Sequence, residues 1–155
     1  MNRFFVIIPL VTLALFSTNS YSSTNQSNRE VDADIIRSGD PSEVSRTIKL
    51  TQVDNMFLPS EITVSEGETV RFVIKNGGNR KHEMLIGSMA ELKKIANMRR
   101  MFPEKDHSEA YLMQLEPGEQ KELILQFIGA GTIDFACPLP GHFKKMRGKI
   151  TVEKK

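Results

Sequence analysis

The sequence predicts an all-β sandwich of about seven to eight short strands with one short helical insertion. Three observations predict it. From Thr47 onward, apolar residues alternate with polar ones at a period of two, as in Ile48 and Leu50, Ile62 and Val64, or Val70, Phe72 and Ile74. Turn residues punctuate these runs at Ser65-Glu-Gly67-Glu, Asn76-Gly-Gly-Asn79, Pro117-Gly118 and Gly129-Ala-Gly131. A single stretch, residues 89–101, abandons the two-residue period for helical spacing.

Taken in order, the chain opens with Arg3, an uncharged apolar run from Phe4 to Phe16, and small or polar residues from Ser17 to Thr24. A charged start, an apolar stretch and a small-residue exit describe a secretory signal peptide, and Ser20-Tyr-Ser22 supplies a small-x-small cleavage site. The apolar run is shorter than the about 20 residues a spanning helix requires, which weighs against an uncleaved anchor. Residues 1–22 are therefore read as a signal peptide. Residues 23–43, rich in Ser, Asn and Asp, are read as a flexible leader. Residues 44–155 are read as one domain, a length suited to a single core.

Within that domain, strands are expected around Ile48–Leu50, Ile62–Val64, Val70–Ile74, the apolar run that starts at His82, Leu123–Phe127, Ile133–Cys137 and, after Gly148, Ile150–Val152. Frequent turns between short runs argue for antiparallel pairing. The insertion begins with Ser88-Met-Ala-Glu91, a capping-box pattern in which the serine hydroxyl satisfies an orphan amide. Leu92, Ile95, Ala96 and then Met98 or Arg99 continue at helical spacing until Pro103.

Without the signal peptide, 20 basic residues face 19 acidic ones, a balance that gives no case for nucleic acid as a partner. The single cysteine says more. Exported proteins usually hold cysteines in pairs, and a lone Cys137 has no internal disulfide partner. It is either a buried inert residue or one whose sulfur is occupied, and a metal would occupy it.

The surrounding residues favour the metal. Cys137-Pro-Leu-Pro-Gly-His142-Phe-Lys-Lys-Met146 places a thiolate, an imidazole and a thioether within ten residues, between two strand-like runs. That soft set suits copper cycling between two oxidation states. A trigonal site with a weak axial thioether needs one more imidazole, and His82 stands at the head of an apolar run upstream. His82, Cys137, His142 and Met146 thus form a complete candidate blue-copper set, with Met146 axial. Pro138 and Pro140 stiffen the loop, and Gly141 permits the tight turn that returns His142. Zinc fits less well, because structural zinc sites favour four strong ligands and a thioether is a poor one. A thiol enzyme also fits less well, since Cys137 and His142 share a proline-rich loop with no evident third orienting group. The chain is read as not an enzyme. Met84 and Phe143 read as packing or rim residues. Glu83 reads either as an acceptor for a loop amide or a ligand imidazole, or as a solvated carboxylate.

The chain resembles the cupredoxins, the family of azurin, plastocyanin and pseudoazurin. The Cys-x4-His-x3-Met spacing of Cys137, His142 and Met146 is similar to the azurin ligand loop. The resemblance runs over roughly residues 47–153 and takes in Phe57-Leu-Pro-Ser-Glu-Ile62-Thr-Val64, Gly67-Glu-Thr-Val70-Arg-Phe72, Asn76, His82-Glu83-Met84, Phe135-Ala-Cys137, Pro140-Gly-His142 and Gly148-Lys-Ile150. It implies a Greek-key β-sandwich holding one type 1 copper at its loop end. His-Glu-Met and the Met-Ala-Glu-Leu-Lys helix after it are similar to small periplasmic cupredoxins of copper tolerance. Lys81 stands where azurins carry a glycine, so no carbonyl ligand is carried over. The resemblance implies a periplasmic copper-tolerance protein, monomeric and not membrane-bound after cleavage. The alternative is a soluble electron carrier between, for example, a c-type cytochrome and an oxidase or reductase.

Two further expectations concern the insertion and the loop. Met89, Met98, Met101, His107 and Met113 are concentrated on or beside the helix, where two or three could form a weak second Cu(I) site; the alternative is that Met98 and Met101 pack the helix. Pro138, Leu139, Pro140 and Phe143 are expected to surround His142 with an apolar patch. Lys144, Lys145 and Arg147, with Arg99 and Arg100, would give it a basic rim suited to a redox or copper-handling partner with an acidic surface.

Overall fold

Ten strands, one α-helix and a short 3-10 turn at Pro41–Glu43 make up the described chain, residues 35–105 and 107–155 of a computed structural model. The expected signal peptide, residues 1–22, and most of the expected leader lie outside the described residues. The strands are β1 (Ile36–Ser38), β2 (Arg46–Val53), β3 (Met56–Leu58), β4 (Glu61–Ser65), β5 (Thr69–Asn76), β6 (His82–Gly87), β7 (Leu112–Leu115), β8 (Gln120–Phe127), β9 (Gly131–Ala136) and β10 (Arg147–Glu153), with helix α1 (Met89–Met101) between β6 and β7.

They form two five-stranded sheets, ordered β1-β8-β5-β2-β3 and β4-β10-β9-β6-β7. Inward-facing residues of both sheets meet in one core. Val70, Phe72 and Ile74 of β5, Leu125 and Phe127 of β8, Ile133 and Phe135 of β9, and Ile150 and Val152 of β10 all lie in it. Phe57 meets Phe135 edge-on at 5.1 Å between ring centroids, an arrangement the ring quadrupoles favour. Fully burying one such side chain contributes about 1.5–3 kcal/mol.

The pairing is mixed rather than wholly antiparallel, because β2 runs parallel to β5 and β4 parallel to β10. Those parallel neighbours are not consecutive in the chain, and periodicity carries no information on strand direction. The strands without a clear signal are β1, β3 and β7, three or four residues each, too short for alternation to register. β1 also corrects the leader boundary. Ile36 pairs with Phe127, and Ile35 and Ile36 are buried in the core, so residues from Ile35 onward belong to the sandwich.

Helix α1 starts where the capping box puts it. The Ser88 side chain accepts a hydrogen bond from the Glu91 amide at 3.3 Å, and the Phe102 amide closes the last turn onto Met98. Leu92 then packs with Leu85 and Ala136, flanked by Ile95, Leu112 and Phe143. The helix thus covers the outer face of the β9–β6 pair. This explains why β6 is buried along its whole length. Met84 and Ile86 face the main core, whereas Leu85 faces the helix.

Candidate metal centre

Strand direction brings the candidate ligands to one end of one sheet. β9 is antiparallel to both of its neighbours, and Ala136 pairs with Leu85 of β6 and with Arg147 of β10. The end of β9 therefore lies beside the starts of β6 and β10. His82 begins β6, Cys137 follows β9, and Met146 precedes β10. The Cys137 amide donates to the Met146 carbonyl at 3.0 Å, closing the base of the loop.

The loop between them turns back twice. The His142 amide donates to the Leu139 carbonyl, and the Lys145 and Met146 amides donate to the His142 carbonyl, at 2.9–3.0 Å. Gly141 has φ 84°, the left-handed region in which a side chain would be strained. One donor atom each from His82, Cys137 and His142 lie within 4.8 Å of one another. Cys137 Sγ is 3.4 Å from His142 Nδ1, and the two imidazole centroids are 5.0 Å apart. Met146 is fully buried in the same apolar cluster as Cys137.

His82 carries the clearest sign of a ligand. Its Nε2 is 2.9 Å from Asp54 Oδ1, while its Nδ1 is buried with no hydrogen-bond partner. The hydrogen bond to His82 holds the Asp54 carboxyl below its usual range, so the group is ionised and can only accept. Nε2 must then bear a proton, so in the neutral imidazole Nδ1 is the nitrogen that carries the lone pair, and it is buried without a partner. A buried polar atom without a partner is costly unless something else satisfies it. A metal on Nδ1 would do so, and the donor set fits copper.

The other two donors are tuned by their surroundings. Burial pushes the Cys137 thiol up to about 12, against smaller opposing effects from the Leu139 amide and the Arg99 charge. The metal-free thiol is therefore protonated near neutrality, and a bound metal would have to displace that proton. The Glu83 amide points at the sulfur, 3.4 Å from Sγ, ready to donate to a thiolate. His142 is half-buried, and desolvation first, then its neighbours His82 and Arg80, hold its pKa below normal. That favours the neutral imidazole a metal needs.

Three supporting residues escaped the sequence reading. Asp54 sits in the β2–β3 turn, and its approach to His82 depends on Gly78, where an added Cβ would lie 2.5 Å from Asp54 Oδ1 and 3.0 Å from His82 Nε2. Asn76, quoted only as part of the resemblance, is buried at the end of β5. Its side-chain amide donates to the Arg80 and Leu115 carbonyls, and its oxygen accepts from the Gly78 amide, which pins the turn leading to His82. Arg99 is the third. It is buried rather than part of a basic rim, and it pairs with Glu83 and Glu109. Glu83 accordingly fits neither of its expected roles, since alternation turns its side chain away from the metal end and under the helix.

The residues of the expected second site are spread over different environments. Met113 faces the main core opposite Met84, Met89 and Met98 are half-buried, and Met101 is exposed. His107 Nδ1 is 3.2 Å from Glu109. Met113 lies on the face of β7 turned away from the helix, so it cannot be one of two or three residues sharing a site with the helix methionines. In the loop, Pro138 is buried, Leu139 and Phe143 are half-buried, and Pro140, Lys144, Lys145 and Arg147 are exposed. The Arg147 guanidinium lies over the Phe143 ring at 5.6 Å.

Comparison with known proteins agrees with this architecture. A family model described as a cupredoxin-like domain matches residues 7–101, a span that includes His82 and ends before Cys137. The copper-resistant cuproprotein CopI of Rubrivivax gelatinosus is 36% identical over 154 residues, covering 92% of this chain and 93% of that one. The copper-resistant cuproprotein CopI of Pseudomonas aeruginosa is 32% identical over 141 residues, covering 72% of this chain and 78% of the other. Among solved structures, reduced auracyanin from Roseiflexus castenholzii superposes with TM-score 0.61 at 23% identity, over 71% of this chain and 98% of that one. On the sandwich, the family match and these relatives, the chain belongs to the cupredoxin-like family.

Proposed function

We propose that this protein binds one copper ion through His82, Cys137, His142 and Met146 as a type 1 site and serves copper resistance in the periplasm. The observation that carries the reading is the buried, unpartnered His82 Nδ1 beside Cys137 and His142. The relatives named as copper-resistant cuproproteins support the physiological role. Bound copper would supply one-electron chemistry between Cu(I) and Cu(II).

The chain's own residues do the rest. Cys137 gives up its proton and offers a buried thiolate that the Glu83 amide stabilises. His82 is held in one tautomer by Asp54. The doubly hydrogen-bonded turn fixes His142, so the donor geometry exists before any metal arrives. Such a binding role needs no substrate pocket at the metal, which sets the protein apart from an enzyme. A partner with an acidic surface would meet the loop end, where Lys144, Lys145 and Arg147 are exposed beside half-buried His142. That same exposure favours the second reading, a soluble electron carrier, because an imidazole near the surface is a short path for an electron. Deleting the gene in its host separates the two: copper sensitivity supports resistance, and a respiratory defect without copper sensitivity overturns it.

A further inference from the structure

Helix α1 is fastened to the metal end by charge as well as by apolar contact. Glu83 follows His82 directly in β6, and its side chain is only 2% exposed. Under the helix that carboxylate meets the Arg99 guanidinium, itself 3% exposed. The other terminal nitrogen of Arg99 reaches Glu109 at 3.0 Å, and Glu109 in turn holds His107 at 3.2 Å. A chain of ionisable groups, buried at Glu83 and Arg99 and half-buried at Glu109 and His107, therefore runs from the residue beside His82, through the last turn of the helix, to the segment preceding β7.

The same residue faces the metal end with its backbone. The Glu83 amide donates to Cys137 Sγ at 3.4 Å, so one residue is gripped by Arg99 through its side chain and points its N–H at the sulfur. Buried charges are costly to desolvate and are tolerated where partners satisfy them. Leu92 already packs the helix onto Leu85 and Ala136, so apolar contact alone would hold it there. The ion pair is directional, which apolar contact is not, and it acts on residue 83 in addition to the strand pairing of Glu83 with Gln114.

We propose that Arg99 is a positioning residue for the copper centre: by anchoring Glu83 it aims the Glu83 amide at Cys137 Sγ and thereby sets the reduction potential of the site. The inference rests on the copper-binding reading above, and its mechanism is electrostatic. An N–H directed at a metal-bound sulfur withdraws electron density from it and favours the reduced, more electron-rich state. Loosening that amide lowers the potential. The planar, two-sided fork of Arg99 engages two carboxylates at once, which a lysine ammonium does with less geometric control.

The test compares wild type with Arg99→Gln, Arg99→Lys and the double variant Glu83→Gln/Arg99→Gln, which leaves no unpaired charge at residue 83 should the single variant fold poorly, while Glu109 keeps His107 as its neighbour. In the metal-free protein, hydrogen exchange at the Glu83 amide should accelerate at least about tenfold in Arg99→Gln and less in Arg99→Lys. In the copper-loaded protein, the equilibrium with a one-electron reference couple should shift about tenfold toward the oxidised form, about 59 mV downward, and the thiolate-to-copper visible band should move with it. The double variant should show both effects at reduced size. A lowered unfolding temperature with unchanged Glu83 exchange, band and potential would mean that Arg99 only holds the helix, and would overturn the proposal. A wild-type protein that binds no copper overturns the copper reading, while the exchange result still decides whether Arg99 aims the amide.

Discussion

Asp54 Oδ1 lies 2.9 Å from His82 Nε2, and this contact leaves Nδ1 as the His82 nitrogen open to a metal. A carboxylate that orients a ligand imidazole typically contributes 10–100-fold in metal affinity. Asp54→Ala should therefore weaken copper binding by about 10–100-fold, measured by competition against a chelator of known affinity. Asp54→Asn keeps an acceptor oxygen at that place and should lose much less. Equal loss in the two variants would show that the carboxylate acts through its charge alone.

The loop ligands should separate in spectroscopy. Cys137→Ser should abolish the intense visible absorption of the copper-loaded protein, because that absorption needs the thiolate. His82→Ala and His142→Ala should each weaken binding severely. Met146→Leu should keep the copper and raise the potential, since an axial thioether bonds weakly and its loss favours Cu(I). Retained colour in Cys137→Ser, or a lower potential in Met146→Leu, would contradict the assigned roles.

Cys137 also gives the metal-free protein a pH dependence. Burial raises its pKa from 9.0 to about 12. Between those values the unfolded chain has lost the proton while the folded chain keeps it, so the unfolded state binds fewer protons and stability falls as pH rises. The contribution is complete below about pH 9 and lost through about pH 12. Denaturant titrations of metal-free wild type and Cys137→Ala across that window should diverge, with wild type losing more. Parallel curves would mean that the thiol is not desolvated as the geometry indicates.

What was legible in the sequence follows from length scale. Alternation over five to eight residues exposed β4, β5 and β8, and capping chemistry located α1. Cys137, His142 and Met146 were readable because one short loop carries them. His82 was reachable only by asking what the loop lacked. Asp54 and Arg99 had no such signal. An aspartate in a turn and an arginine near a helix end are ordinary surface residues until the fold places one against His82 and the other under β6. Mixed pairing was equally silent, because parallel neighbours such as β4 and β10 are far apart in the chain.

The basic rim is smaller than the sequence suggests. Arg99 is withdrawn beneath the helix, leaving Lys144, Lys145 and Arg147 exposed on the loop that carries His142. Arg147 is partly engaged, stacked on Phe143 and donating to the Lys144 carbonyl at 3.2 Å. Lys144 and Lys145 are exposed charges on the loop beside His142. Exposed rim charges act mainly on the association rate, and salt screens them over about 10 Å at 0.1 M. Lys144→Glu combined with Lys145→Glu should slow electron transfer with an acidic redox partner at low salt and reverse the sign of the salt dependence, while leaving the potential unchanged. Stopped-flow rates over a range of ionic strengths measure this directly. Rates and salt dependence equal to wild type would show that docking does not use these lysines.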